Sequence, residues 1–153
     1  MSVEVVSPAT GLAAALSDVP DPVFSQAMVG PGVAVKPVAE PAAAVAPISG
    51  TVATLHPHAF VIASAGGTAV LVHLGIDTVQ LKGEGFELHV AKGAQVEAGQ
   101  PVVSWNPAAV EEQGYSSVCP VVALDLSAEA LADLREDGQV AAGQPLFTIE
   151  GHG

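Results

Sequence analysis

The chain has 153 residues, half of them apolar, and a formal net charge of −12 from sixteen acidic and four basic side chains. The four cations, Lys36, Lys82, Lys92 and Arg135, are too few to displace nucleic-acid counterions or to hold an anionic membrane surface, which excludes both as partners. A partner with a basic face would instead be drawn in by the field. The length suits a single domain over residues 1–153. The apolar runs are shorter than a membrane span, and no basic start followed by an apolar stretch marks a signal peptide. The single cysteine, Cys119, excludes an internal disulfide and fits a reducing compartment. These features describe a soluble, cytoplasmic protein.

Along the chain, valine-rich pieces of four to seven residues recur between Gly and Pro turns. Examples are Val33–Lys36, Phe60–Ala63, Ala69–Val72 and Pro101–Trp105. This is the pattern of an all-β, antiparallel sandwich or barrel-like domain. One or two short helices are expected beside it. Asn106-Pro107 reads as a cap followed by proline at the first helical position, with Gly114 closing the segment. Ser127 reads as the cap of a second helix to about Asp133, with Leu126, Ala130, Leu131 and Leu134 as its apolar face. The Pro- and Ala-rich stretch 38–46 reads as an irregular surface connection. Two internal echoes suggest related halves. Pro8-Ala9-Thr10-Gly11 resembles Pro47-Ile48-Ser49-Gly50, and Gln95–Pro101 nearly repeats as Gln139–Pro145.

The stretch Leu71–Val79 is apolar at nearly every second position and reads as a buried strand, yet it carries His73 and Asp77. A lone histidine among apolar residues is ordinarily a core group with a hydrogen-bond partner. Here His56-Pro57-His58 lies fifteen residues upstream, the spacing of two neighbouring strands joined by a short turn. A neutral imidazole is a good nucleophile and can hold a phosphoryl group. Presenting one ring nitrogen requires an acceptor for the other, and the carbonyl of Gly75 is the natural one, since glycine lets the backbone come close. His58 would then bond a phosphoryl oxygen. The alternative is a zinc site on His56, His58, His73 and Asp77, or on His58 and His73 within it. His89 and His152 read as surface residues, and Cys119 as a small buried apolar group.

The zinc set resembles that of lysostaphin-type peptidases, but with its two motifs in reversed order. The Gln-Val turns resemble those of lipoyl and biotinyl carriers, but no lysine stands at a hairpin tip. A longer match covers Val72–Phe86, Asp18–Phe24, Val29–Pro37, Ala46–Val52 and His58–Phe60. These segments resemble the glucose-type enzyme IIA of the bacterial phosphoenolpyruvate:sugar phosphotransferase system, across nearly the whole chain, as in a free-standing IIA protein. The resemblance implies an antiparallel β-sandwich on which His73 accepts a phosphoryl group at Nε2 from the carrier HPr. His73 then passes it to a cysteine of the IIB domain of a glucose- or N-acetylglucosamine-class membrane permease. His58 would support the phosphoryl group. Asp21, Val23, Phe24, Leu71, Leu74 and Asp77 would belong to the docking face. No cofactor is implied, and regulatory protein targets are left open. The chain departs from the family in having His56 where many members have threonine, and leucines at 55 and 71 where phenylalanines are common.

Overall fold

The computed structural model describes residues 3–21, 24 and 30–150; Val23 and His152 lie outside them. The first half of the chain forms β1 (Val3–Val6), β2 (Gly11–Ala15), β3 (Gly32–Pro37), β4 (Ala42–Val45), β5 (Gly50–His56), β6 (Ala59–Ala63) and β7 (Ala69–His73). The second forms β8 (Glu87–Leu88), β9 (Gln95–Val96), β10 (Pro101–Trp105), β11 (Cys119–Ala123), β12 (Leu131–Ala132), β13 (Gln139–Val140) and β14 (Pro145–Ile149). A short helix, α1 (Pro107–Glu112), precedes β11. An eight-stranded sheet runs β13-β2-β3-β11-β7-β6-β5-β9, and two three-stranded sheets run β1-β14-β12 and β4-β10-β8. The paired strands are antiparallel. The large sheet begins and ends on different strands and does not close into a barrel.

The main core lies between the large sheet and the two small ones. Val33, Val52, Phe60, Ile62, Val70, Val72 and Val121 enter it from one side, and Val5, Ala44, Val102, Trp105, Leu146 and Phe147 from the other. Strand β7 shows why the large sheet has two useful faces. Successive side chains of a strand point to opposite sides, so Val70 and Val72 are fully buried while Leu71 and His73 are only half-buried on the outer face. That outer face carries a second, smaller cluster of Leu16, Val19, Phe24, Ala34, Ile76 and Val122. Strand β11 is buried at every position because it lies between the two clusters.

The internal echoes are a structural repeat. Gly50 and Thr51 of β5 pair with Val96 and Gln95 of β9, as Gly11 and Leu12 of β2 pair with Val140 and Gln139 of β13. Gln100 Oε1 accepts from the N–H of Glu97 at 3.1 Å, and Gln144 Oε1 from that of Ala141 at 2.8 Å. Ser49 Oγ and Thr10 Oγ1 accept from Ala98 and Ala142, both at 3.0 Å. The two halves interlock, since Val6 N–H donates to Pro47 O at 2.9 Å and Val45 N–H to Pro8 O at 3.0 Å.

Asn106 caps α1 as its sequence indicates, its Oδ1 accepting from Ala108 N–H at 3.1 Å. Three expectations are corrected. Residues 42–45 are strand β4, not an irregular connection; small alanines pair with β10, and Ala44 and Ala46 are fully buried. No second helix follows Ser127. A 3-10 turn, Ala128–Ala130, leads into β12, which takes the free side of β14, and Leu134 is left exposed. Pairing to an existing strand outweighs the helical propensity of this Ala-, Leu- and Glu-rich stretch. Strand β7 ends at His73; beyond it the chain turns, and Thr78–Leu81 is a 3-10 turn.

Replacing Phe60, fully buried in the main core, by alanine is expected to cost about 3–5 kcal/mol. Leu12→Ala, at a half-exposed position, should stay within about 0.5 kcal/mol. Urea denaturation of the two variants checks the contrast.

Candidate active site

The site stands where the β5–β6 hairpin meets the end of β7. Strand β5 ends at His56, Pro57 and His58 make a two-residue turn, and Ala59 opens β6 opposite His56. Ala59 also pairs with His73 on the other side. Leu74 N–H donates to His58 O at 2.7 Å, so the hairpin tip and the turn after β7 are tied backbone to backbone. This register brings the rings of His58 and His73 to 5.3 Å between centroids, edge to face at 69°. Phe24 covers another side of His73, with ring centroids 5.2 Å apart.

The turn after β7 fixes the ring of His73. Nδ1–H donates to the carbonyl of Gly75, two residues on. Gly75 has φ +82°, a conformation in which L side chains are strained. A Cβ on it would lie 2.6 Å from Thr78 Cγ2 and 2.8 Å from Ser116 O. The turn is clamped from within by Thr78, whose fully buried hydroxyl donates to Leu74 O at 2.7 Å. It is clamped from outside by Ile76 N–H, which donates to Ser116 O at 2.9 Å. With the Nδ1 proton engaged, Nε2 carries the free lone pair. Thr78 and Ser116 escaped the sequence reading. A threonine four residues after Leu74, able to bond back to its carbonyl, was the available signal for the first.

Burial lowers the affinity of His73 for a proton, opposed by the Gly75 carbonyl and by the negative charges of Asp21 and Asp77. His58 is lowered as well, first by burial and then by the charges of His73 and His56. Both rings are therefore held toward the neutral form. Cys119 lies behind this turn, fully buried, and burial pushes its thiol up to about 12. It is not a nucleophile at neutral pH.

The structure brings His73, His58, the Gly75 carbonyl and Phe24 together, with Asp21 and Asp77 in electrostatic reach. Leu71 is half-buried on the same outer face, packed against the smaller cluster. Leu74 is a correction. It is fully buried in the main core, because it falls on the same side as Val70 and Val72, one residue past the end of β7, so it supports the face from beneath instead of lining it. Val23 lies outside the described residues. The four-residue zinc set is not assembled. Among the described residues no group of three or more His, Cys, Asp or Glu side chains is placed to hold a metal ion. His56 and His58 stack at 23° instead of converging.

Residues 3–128 match the family model for EIIA 1 of the phosphoenolpyruvate-dependent sugar phosphotransferase system. The chain belongs to this EIIA family. It is 40% identical over 120 residues to the glucose-specific EIIA component of the phosphotransferase system of Oceanobacillus iheyensis, a match spanning 78% of this chain and 73% of that protein. It is 39% identical over 148 residues to the N-acetylglucosamine-specific EIICBA component of Escherichia coli (strain K12). It is 40% identical over 120 residues to the glucose-specific EIIBCA component of Corynebacterium glutamicum. These two matches span 96% and 78% of this chain but only 23% and 18% of those longer proteins. The solved glucose permease IIA from Mycoplasma capricolum superposes with a TM-score of 0.88 at 31% identity, covering 97% of this chain and 96% of that one. Among the described residues, no helix of this EIIA chain is long and apolar enough to cross a membrane.

Because both rings are lowered from the ordinary value of 6.5, the unfolded chain takes up protons before the folded one. Stability should then fall as pH drops through the window beneath 6.5. Ring 15N NMR is expected to place both midpoints below 6.5, and the urea midpoint should decline with acidification less steeply in His73→Gln than in the parent. A midpoint above the ordinary value for either ring contradicts this electrostatic picture.

Proposed function

We propose that this EIIA chain is a phosphocarrier in the cytoplasm, with His73 as the group that is phosphorylated. The observation that carries the reading is the bond from His73 Nδ1–H to the Gly75 carbonyl, which leaves Nε2 unprotonated on a half-buried ring. Nε2 attacks the phosphorus of phospho-HPr. The N–P bond to the carrier's imidazole breaks as the new one forms, and the carrier leaves. In the second step the thiolate of the IIB cysteine attacks the same phosphorus and Nε2 departs with its lone pair. The chemistry is positioning and electrostatics, and no cofactor is needed. His58, edge-on to His73, is placed to donate an N–H to a phosphoryl oxygen.

The surroundings support the same reading. Phe24 and Leu71 give the site an apolar border, with Leu74 beneath it. Such a border excludes water and so disfavours hydrolysis of the phosphoryl group. Asp21 and Asp77, whose charges already reach His73, are suited to meet basic residues of HPr and of IIB, and Val23 belongs with the apolar border by its place in the chain. The overall charge of −12 steers basic faces toward this one. The names of the relatives point to a permease of the glucose or N-acetylglucosamine class as the final acceptor.

The test is reconstitution with phosphoenolpyruvate, enzyme I and HPr, followed by transfer to a IIB domain. The parent protein should take an acid-labile, base-stable label and His73→Gln none. His58→Gln should accept the label but pass it on about 100-fold more slowly, the scale of losing one donor to a charged transition state. Undiminished labelling of His73→Gln would contradict the assignment.

A further inference from the structure

His56 has no part in the transfer just described, yet it is set against its machinery. It closes β5 opposite Ala59, and its ring lies 5.6 Å from that of His58 at 23° between planes. His58 in turn meets His73 edge-on, and Phe24 lies against His73 at 5.2 Å. The four rings form a row in which His58 has an imidazole on either side. His58 stands in a two-residue turn and is only partly buried. The turn fixes its backbone but leaves its side-chain torsions to be decided by neighbours. A donor to a phosphoryl oxygen has to be held in place before the group arrives, because misplacement is costly in rate.

We propose that His56 is a positioning residue of the phosphoryl site, its ring stacking on the outer side of His58 and holding that imidazole edge-on to His73. The proposal rests on the carrier reading above. It concerns the delivery step more than acceptance, since Nε2 of His73 is set by Gly75, which His56 does not touch. A second effect runs the same way. Charge on His56 helps to keep His58 neutral, so His58 is available as a single-proton donor. Asp21 and Asp77 act on the neighbouring His73. On the far side, the turn at Gly83, between Lys82 and Glu84, comes up against Pro57.

Two variants separate stacking from mere exposure: His56→Ala removes the ring, and His56→Phe keeps a flat ring without a titrating nitrogen. In the reconstituted system both should take label on His73 at the parent rate. His56→Ala should deliver it to IIB about tenfold more slowly, a loss typical of a loosened donor. His56→Phe should recover most of that loss. In aromatic NMR the part of the ring-current shift on His58 that comes from His56 should be lost in His56→Ala and persist in His56→Phe, leaving the contribution of His73 in both. Delivery at the parent rate by His56→Ala, or delivery by His56→Phe as slow as by His56→Ala, overturns the proposal. Absence of label on the parent protein overturns the carrier reading and this proposal with it, whereas label with unchanged delivery overturns this proposal alone.

Discussion

The bond between His73 Nδ1–H and the Gly75 carbonyl is the constraint on which the rest of the site depends. It selects the tautomer, orients the ring and leaves one nitrogen with a free lone pair. It requires a carbonyl within two residues of the ring, on a backbone turned to φ +82°. That turn needs glycine, the inward hydroxyl of Thr78 and the anchor to Ser116. Each of these is set by contacts within the turn or with the segment that leads into β11, so the chemistry of one nitrogen is underwritten by packing several residues away.

The repeat explains how a small domain builds a stable platform for such a turn. Two interlocked halves place β7 and β11 side by side at the centre of the eight-stranded sheet. Centre strands are paired on both edges, and here they are also packed on both faces. His73 stands at the end of one of them, at the edge of the smaller apolar cluster. Its backbone is paired to β6 and its ring is half-open. A phosphoryl carrier must meet two proteins in turn on one surface. A shallow site with an apolar border and acidic outliers serves that better than a cleft would, because the partners themselves complete the exclusion of water.

Much of this was legible in the residues. Valine-rich pieces between Gly and Pro gave the strands, the Gln95 and Gln139 turns gave the repeat, and Asn106-Pro107 gave α1. His73, His58 and the Gly75 carbonyl followed from what an imidazole in an apolar run requires. What escaped was set by tertiary partners. The alanines of β4 have little strand preference of their own and are strand only because β10 and the core accept them. Residues after Ser127 pair with β14 instead of coiling. Leu74 was assigned to the docking face by the resemblance alone, whereas the alternation of β7, carried one residue further, puts it with Val70 and Val72 in the core. Thr78 is invisible to a search for reactive groups, since its work is to hold a carbonyl, and His56 drew attention first as a metal ligand and only the ring geometry shows its place beside His58.

The central claim, that Gly75 leaves Nε2 of His73 as the acceptor, is tested most directly by NMR of the 15N-labelled protein after phosphorylation, reading one-bond coupling between phosphorus and nitrogen. The account predicts coupling to Nε2 of His73, with Nδ1 still bearing its proton. Coupling to Nδ1 of His73, or to either ring nitrogen of His56 or His58, would contradict it.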